Sequence, residues 1–281
     1  MGGYSASGSA SENQVSINGG SIEGTILAGG AYEDVGGASQ NIVSVSGGTV
    51  SGKILAGIGY GSQTKKVENN KVEISGGVLQ NDITAGSATA STVEVKVTGN
   101  QVSITGGTFI GKQNDDSTAI LKIVGATALS TNNNTELSGN SITITGGTFS
   151  VGKEEGALDT EPEKKIGIYA AEGKVKVSGN SVTVQKAEDK ESLSISVTEI
   201  MAGKSIGESG DVSGNILTIG EKTTVSGTLY GGYANNGALV QNNEVKVNGT
   251  VNGSVYGGYS QNASAGTNTV AVTNGTVNGS I

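Results

Sequence analysis

No Cys, His or Trp occurs among the 281 residues, all 17 basic side chains are Lys, and Pro162 is the only proline. Lack of Cys removes disulfides, thiol nucleophiles and thiolate metal sites. Lack of His removes the side chain best suited to proton transfer near neutral pH. Lack of Arg leaves no planar fork for phosphate or carboxylate, and a net charge of −8 supplies no basic footprint. Nucleic acid is therefore not an expected partner. No run of 18 apolar residues is present, so the sequence offers no candidate transmembrane helix. Aromatic residues make up only 4% of the chain, too few for a core built on large rings.

What the chain does contain is glycine, 48 residues of it, without the Gly-x-y triplet period of collagen. Disorder is excluded by the regular placement of Val and Ile. These residues mark nine copies of one unit, Asn-x-(Val/Ile/Leu)-x-(Val/Ile), starting at Asn13, Asn41, Asn70, Asn100, Asn140, Asn180, Asn215, Asn243 and Asn268. Successive Asn residues are 28, 29, 30, 40, 40, 35, 28 and 25 positions apart. Strict alternation has period two and predicts strands, with Asn and both apolar residues on one face. A Gly-rich turn follows most copies, as at Gly47-Gly48-Thr49-Val50, then a second strand such as Ile54-Leu55-Ala56-Gly57. The polar stretch before the next Asn often holds a shorter third strand.

Units of this size cannot bury an apolar face alone, so neighbours must stack. The predicted fold is all-β, a parallel β-helix (β-solenoid) of about nine stacked coils with insertions in the central ones. Stacking in register makes apolar ladders inside and a structural asparagine ladder along the nine Asn positions. At roughly 4.8 Å per coil, the rod is about 40–45 Å long. Residues 1–281 form one solenoid, with regular coils over 1–99, insertion-bearing coils over 100–203 and regular coils over 204–281. The start, Gly2-Gly3-Tyr4-Ser5, matches Gly257-Gly258-Tyr259-Ser260, and Val277 to Ile281 matches Val251 to Val255. A segment of a longer array is expected, with leader, anchor and any effector domain outside it.

The motif Asn-x-Val-x-Ile-x-Gly-Gly-Thr-Val-x-Gly-x-Ile/Val-Tyr-Gly-Gly-Tyr, carried most clearly by Asn243 to Tyr259 and Asn268 to Ile281, resembles passenger-domain repeats of large Gram-negative autotransporters. The resemblance covers nearly the whole chain and departs over Asn100 to Gly203. It implies a β-helical rod exported through an outer-membrane barrel, extracellular at the cell surface, and acting as an adhesin. Its implied partners are host-cell or bacterial surface proteins or glycans, and its anchor is a barrel domain outside these residues. The expected function is a non-enzymatic structural stalk, monomeric and without cofactor, that presents a binding surface. The alternative is a polysaccharide-binding or -degrading β-helix.

Candidate contact residues lie where the repeat is least regular. From the Asn to the Gly that ends the second strand is 16 positions in copies one to three, 25 to Gly125 in copy four, and 23 to Gly203 in copy six. The extra residues follow the Asn-led strand, and stacking is expected to gather them at one corner as a polar, acidic ridge. Its members are Lys112, Asn114, Asp115, Asp116, Lys153, Glu154, Glu155, Asp159, Glu161, Glu163, Lys186, Glu188 and Asp189. The interspersed Lys and the lack of an Asp-x-Asp-x-Asp-Gly loop argue against calcium, so no metal is expected. Tyr230, Tyr233, Tyr256 and Tyr259, recurring in adjacent copies, form a possible aromatic edge that either contacts a partner or covers a corner of the coil. Catalysis is not expected, because a Gly-rich array without His, Cys or Arg brings few reactive side chains together.

Overall fold

The computed structural model describes residues 1–32, 36–61, 66–89, 93–111, 120–129, 132, 134–152, 163–207, 210–235 and 237–281. The described strands form three sheets of 12, 11 and 9 strands, and every strand pairs in parallel with the equivalent strand of the next coil. This is a parallel β-solenoid.

One coil illustrates the path. Asn70 opens a lead strand, Lys71–Ile74, and a Gly turn passes to a short second strand, Val78–Leu79. A long strand, Ile83–Thr89, and a short third-face strand, Lys96–Thr98, complete the circuit before Asn100 begins the next coil. The second strand joins the lead-strand sheet in the first half of the rod, as Val78–Leu79 does. In the second half it runs on into the long strand, as in Leu193–Ser205 and Thr223–Ala234.

Alternation places one side of each lead strand inside. Val43, Val72, Val102, Ile142, Val182, Leu217 and Val245 stack one above another, each at most 1% exposed. Opposite them, the long strands contribute Ile54, Ile83, Ile123, Ile168, Ile200 and Leu229 to the same cluster. Each such side chain contributes roughly 1.5–3 kcal/mol on full burial. A second, smaller cluster lies under the third face, with Val67, Val97, Leu137, Val177, Val212 and Val240 at its centre.

The asparagine ladder runs unbroken from Asn13 to Asn268. Each Nδ2 donates to the Oδ1 of the next Asn at 2.8–3.0 Å. Each backbone N–H donates to that same oxygen. From Asn41 onward, Nδ2 also donates to a third-face carbonyl one coil back, such as Ala38 for Asn70 and Val97 for Asn140. Every amide from Asn41 to Asn243 is therefore saturated, which is what permits a polar group to be buried there.

Two backbone features make room for the ladder. The residue before each Asn adopts a left-handed conformation in all nine coils, from Glu12 (φ 60°) and Gln40 (φ 56°) to Thr267 (φ 54°). Gly fills that position in four coils, where it avoids the Cβ penalty. Against the other side of the amide lies the long strand, where a Cβ on Gly29, Gly57 or Gly86 would overlap Asn41, Asn70 or Asn100. The register sets Ala126, not Gly125, opposite Gly86, and Ala171 above it. Coils four and five thus keep the ladder with an alanine at this contact.

The ladder predicts a strong dependence of stability on position. Asn140→Ala strips the acceptor from two buried donors of Asn100 and is expected to cost about 3 kcal/mol or more, whereas Asn13→Ala, half-buried in the first coil, removes one of two donors to Asn41 and is expected to cost roughly 1 kcal/mol. Urea unfolding of both variants checks this, and equal losses would contradict a buried cooperative ladder.

Candidate functional site

The expected acidic ridge is not a single feature of the fold. Lys112, Asn114, Asp115, Asp116, Lys153, Glu154, Glu155, Asp159 and Glu161 lie outside the described residues. Of the others, Glu163, Glu188 and Asp189 are exposed and Lys186 is half-buried. Asp189 makes a solvent-exposed ion pair with Lys190 at 3.7 Å, an interaction of little energetic weight. The three insertions do not share a corner. In copies four and five the extra chain leaves after the second strand, at Gly111 and Gly152, and rejoins the long strand at Leu121 and Ile166. In copy six it leaves one strand earlier, after Ser181–Val184, and returns as Leu193–Ser205. Ile195 of that strand pairs with Val225, which pairs with Val251 of the second-strand column. Lys186, Glu188 and Asp189 therefore project from a different corner than Glu163.

A denser constellation occupies the outer side of the long strands. Their inward positions are taken by Ile and Ala, so the intervening residues face out. One outward column reads Leu27, Leu55, Thr84, Val124, Tyr169, Met201, Tyr230 and Tyr256 in coil order. The neighbouring column reads Ser87, Thr127, Glu172, Lys204, Tyr233 and Tyr259. Tyr169 is nonetheless 0% exposed, packed with Val124 and Met201 in a cluster of its own. Gly167 is what admits its phenol, since a Cβ there would overlap the Tyr169 hydroxyl.

That hydroxyl donates to a Glu199 carboxylate oxygen. Lys204 Nζ sits 4.2 Å from the Tyr169 ring centroid, 3.1 Å from Glu172 and 3.7 Å from Glu199. Lys122 Nζ donates to both Glu172 oxygens at 2.9 and 2.8 Å. Two ammonium groups and two carboxylates thus balance, and the buried Glu172 is doubly paired. Burial first, then the Glu199 charge, pushes the Tyr169 phenol far above its usual range. The same causes push Tyr230 up to about 12.

Sequence reasoning did not find this network. Its ties between coils join residues 30 and 50 positions apart (Tyr169 to Glu199, Lys122 to Glu172), and only alignment on the inward Ile residues (Ile123, Ile168, Ile200) reveals that Tyr169 and Met201 continue the Tyr230 column.

The four expected tyrosines do come together. Tyr230 stacks on Tyr256 (centroids 5.0 Å apart, 13° between planes) and Tyr233 on Tyr259 (5.3 Å, 11°), with edge contacts between the two stacks. Near the start of the chain Tyr4, Tyr32 and Tyr60 make a looser series, tilted by 31° and 37°. Stacked rings spend their faces on one another and present edges and hydroxyls outward. This geometry favours hydrogen bonding over the flat stacking of a sugar ring. Among the described residues, no group of three or more Asp and Glu side chains is placed to hold a metal ion. Comparison with family models, curated proteins and solved structures returns no match.

The tyrosine environment gives a signed pH dependence. An unfolded tyrosine ionises near pH 10, whereas folded Tyr230 holds its proton to about 12. The stabilisation is complete below the unfolded value and is lost as pH rises through the folded one. Unfolding free energy is expected to fall across this window, and Tyr230→Phe to flatten the fall. Urea midpoints measured on either side of it check the slope.

Proposed function

We propose that this chain is a segment of a non-enzymatic, extracellular β-solenoid stalk that holds an adhesive surface away from the cell. The observation that carries the reading is the constancy of the ladder against the variability of the chain between its rungs. Nine amides keep one register while the spacing between them ranges from 25 to 40 residues. Such a scaffold tolerates excursions without loss of continuity, because each coil contacts only its neighbours. Loops let out between the strands of a regular array are a common carrier of binding in this architecture.

The motif shared by Asn243 to Tyr259 and Asn268 to Ile281 supports placing the stalk among autotransporter passengers, exported to the outer-membrane surface and anchored there by a barrel domain. A chain free of Cys and rich in Gly, Asn, Ser and Thr suits passage of the outer membrane unfolded. The partner proposed is a surface protein or glycan of a host cell or another bacterium. The contact proposed is the insertion-bearing middle of the rod.

Gly152 and Lys164 face each other in an isolated bridge, so the segment between them is suited to exchange for a short Gly-Ser connector. Replacing residues 153–162 in this way is expected to leave the far-UV circular dichroism unchanged and to reduce attachment of chain-coated beads to cells several-fold. Unaltered attachment by a folded variant would remove the middle coils from the proposal.

A further inference from the structure

Seven of the eight tyrosines touch another tyrosine, and Tyr169 is buried. No Cys, Trp or His competes with them for an oxidant, Met201 is only 2% exposed, and the exposed Met1 thioether is oxidised by gain of an oxygen atom and not by the one-electron loss that a phenol undergoes. Accessible phenols are thus the side chains of the described rod that most readily lose a single electron. Among the aromatic pairs, Tyr233–Tyr259 combines close stacking with access from solvent. Its rings are 5.3 Å apart and within 11° of parallel, and Tyr259 is 39% exposed. The two residues are directly paired in adjacent parallel strands, so the solenoid itself holds the rings together.

We propose that Tyr233 and Tyr259 are a site of oxidative dityrosine formation, by which hydrogen peroxide and a haem peroxidase staple neighbouring coils of a rod that has no disulfides. Each phenol loses one electron and its hydroxyl proton to give a phenoxyl radical. The radicals couple through their ortho carbons, forming one C–C bond. The hydrogen on each coupled carbon then moves to oxygen as the ring regains aromaticity. The two electrons and two protons released reduce one hydrogen peroxide to two water molecules. Tyr259, the more open ring, is oxidised first. Tyr233 is already in place beside it, so coupling needs no encounter between molecules.

The test treats the dilute 281-residue chain with peroxidase and hydrogen peroxide and follows dityrosine fluorescence and tryptic peptides. Cleavage after Lys222 and Lys246 separates residues 223–246 from 247–281, one bearing Tyr233 and the other Tyr259. The expected product is a monomer in which these peptides are joined and lighter by two hydrogens, with fragmentation locating the link at Tyr233 and Tyr259. Tyr259→Phe and Tyr233→Phe keep the rings and the fold, checked by circular dichroism, and each is expected to lose this product. Tyr60→Phe is expected to retain it. A link confined to Tyr230 and Tyr256, dimers joined through Tyr4 or Tyr60, or no coupled product would each overturn the assignment.

Discussion

One side-chain amide, repeated in register, closes every coil of this molecule. A buried primary amide has two donors and an acceptor able to take two hydrogen bonds, and burial is costly unless they are used. The solenoid uses them all: one N–H goes to the next rung, the other to the previous coil, and the oxygen receives two donors. The requirement propagates outward. It demands a left-handed residue before the Asn and a minimal side chain on the long strand beside it. It also divides the interior into two apolar compartments, one between lead and long strands and one beneath the third face.

Because the ladder sets the register, the outer surface is free to vary. The outward columns of the long strands change from aliphatic at one end, with Leu27 and Leu55, through a charged centre, with Lys122, Glu172 and Lys204, to tyrosines at the other. Equivalent positions are stacked one strand spacing apart, so a substitution in one coil meets the next coil directly. The Lys122–Glu172–Lys204 chain of ion pairs and the Tyr233–Tyr259 stack are two outcomes of this vertical adjacency. Chemistry on such a rod arises between coils more than within them.

Adjacency of this kind explains what could be read from the residues and what could not. The lead strand was legible because Asn and two inward apolar residues recur at fixed offsets, as in Asn70, Val72 and Ile74. The second strand was harder, having two or three residues and an outward Thr (Thr108 beside Phe109) that alternation cannot distinguish from a turn. That ambiguity misplaced the extra residues of copies four and five, which are expected directly after the lead strand but leave after the second strands Thr108–Ile110 and Thr148–Ser150; in copy six they do follow the lead strand, Ser181–Val184. Gly125 is the expected end of the second strand by analogy with Gly57 and Gly86, but Ala126 holds their register, because the contact beside the ladder accepts alanine in two coils. Tyr169 carried no local signal at all; its burial depends on Gly167, Met201 and Lys204, of which two lie a full coil away.

The most direct measurement is hydrogen exchange of the asparagine side-chain amides by nitrogen-15 NMR. Asn41 through Asn243 are expected to exchange far more slowly than Asn278, which also bonds an asparagine, Asn252, but in contact with solvent. Protection of the central rungs comparable to that of the lead-strand backbone would establish the ladder as the common support of all nine coils. Exchange of Asn100, Asn140 and Asn180 as fast as that of Asn278 would contradict it.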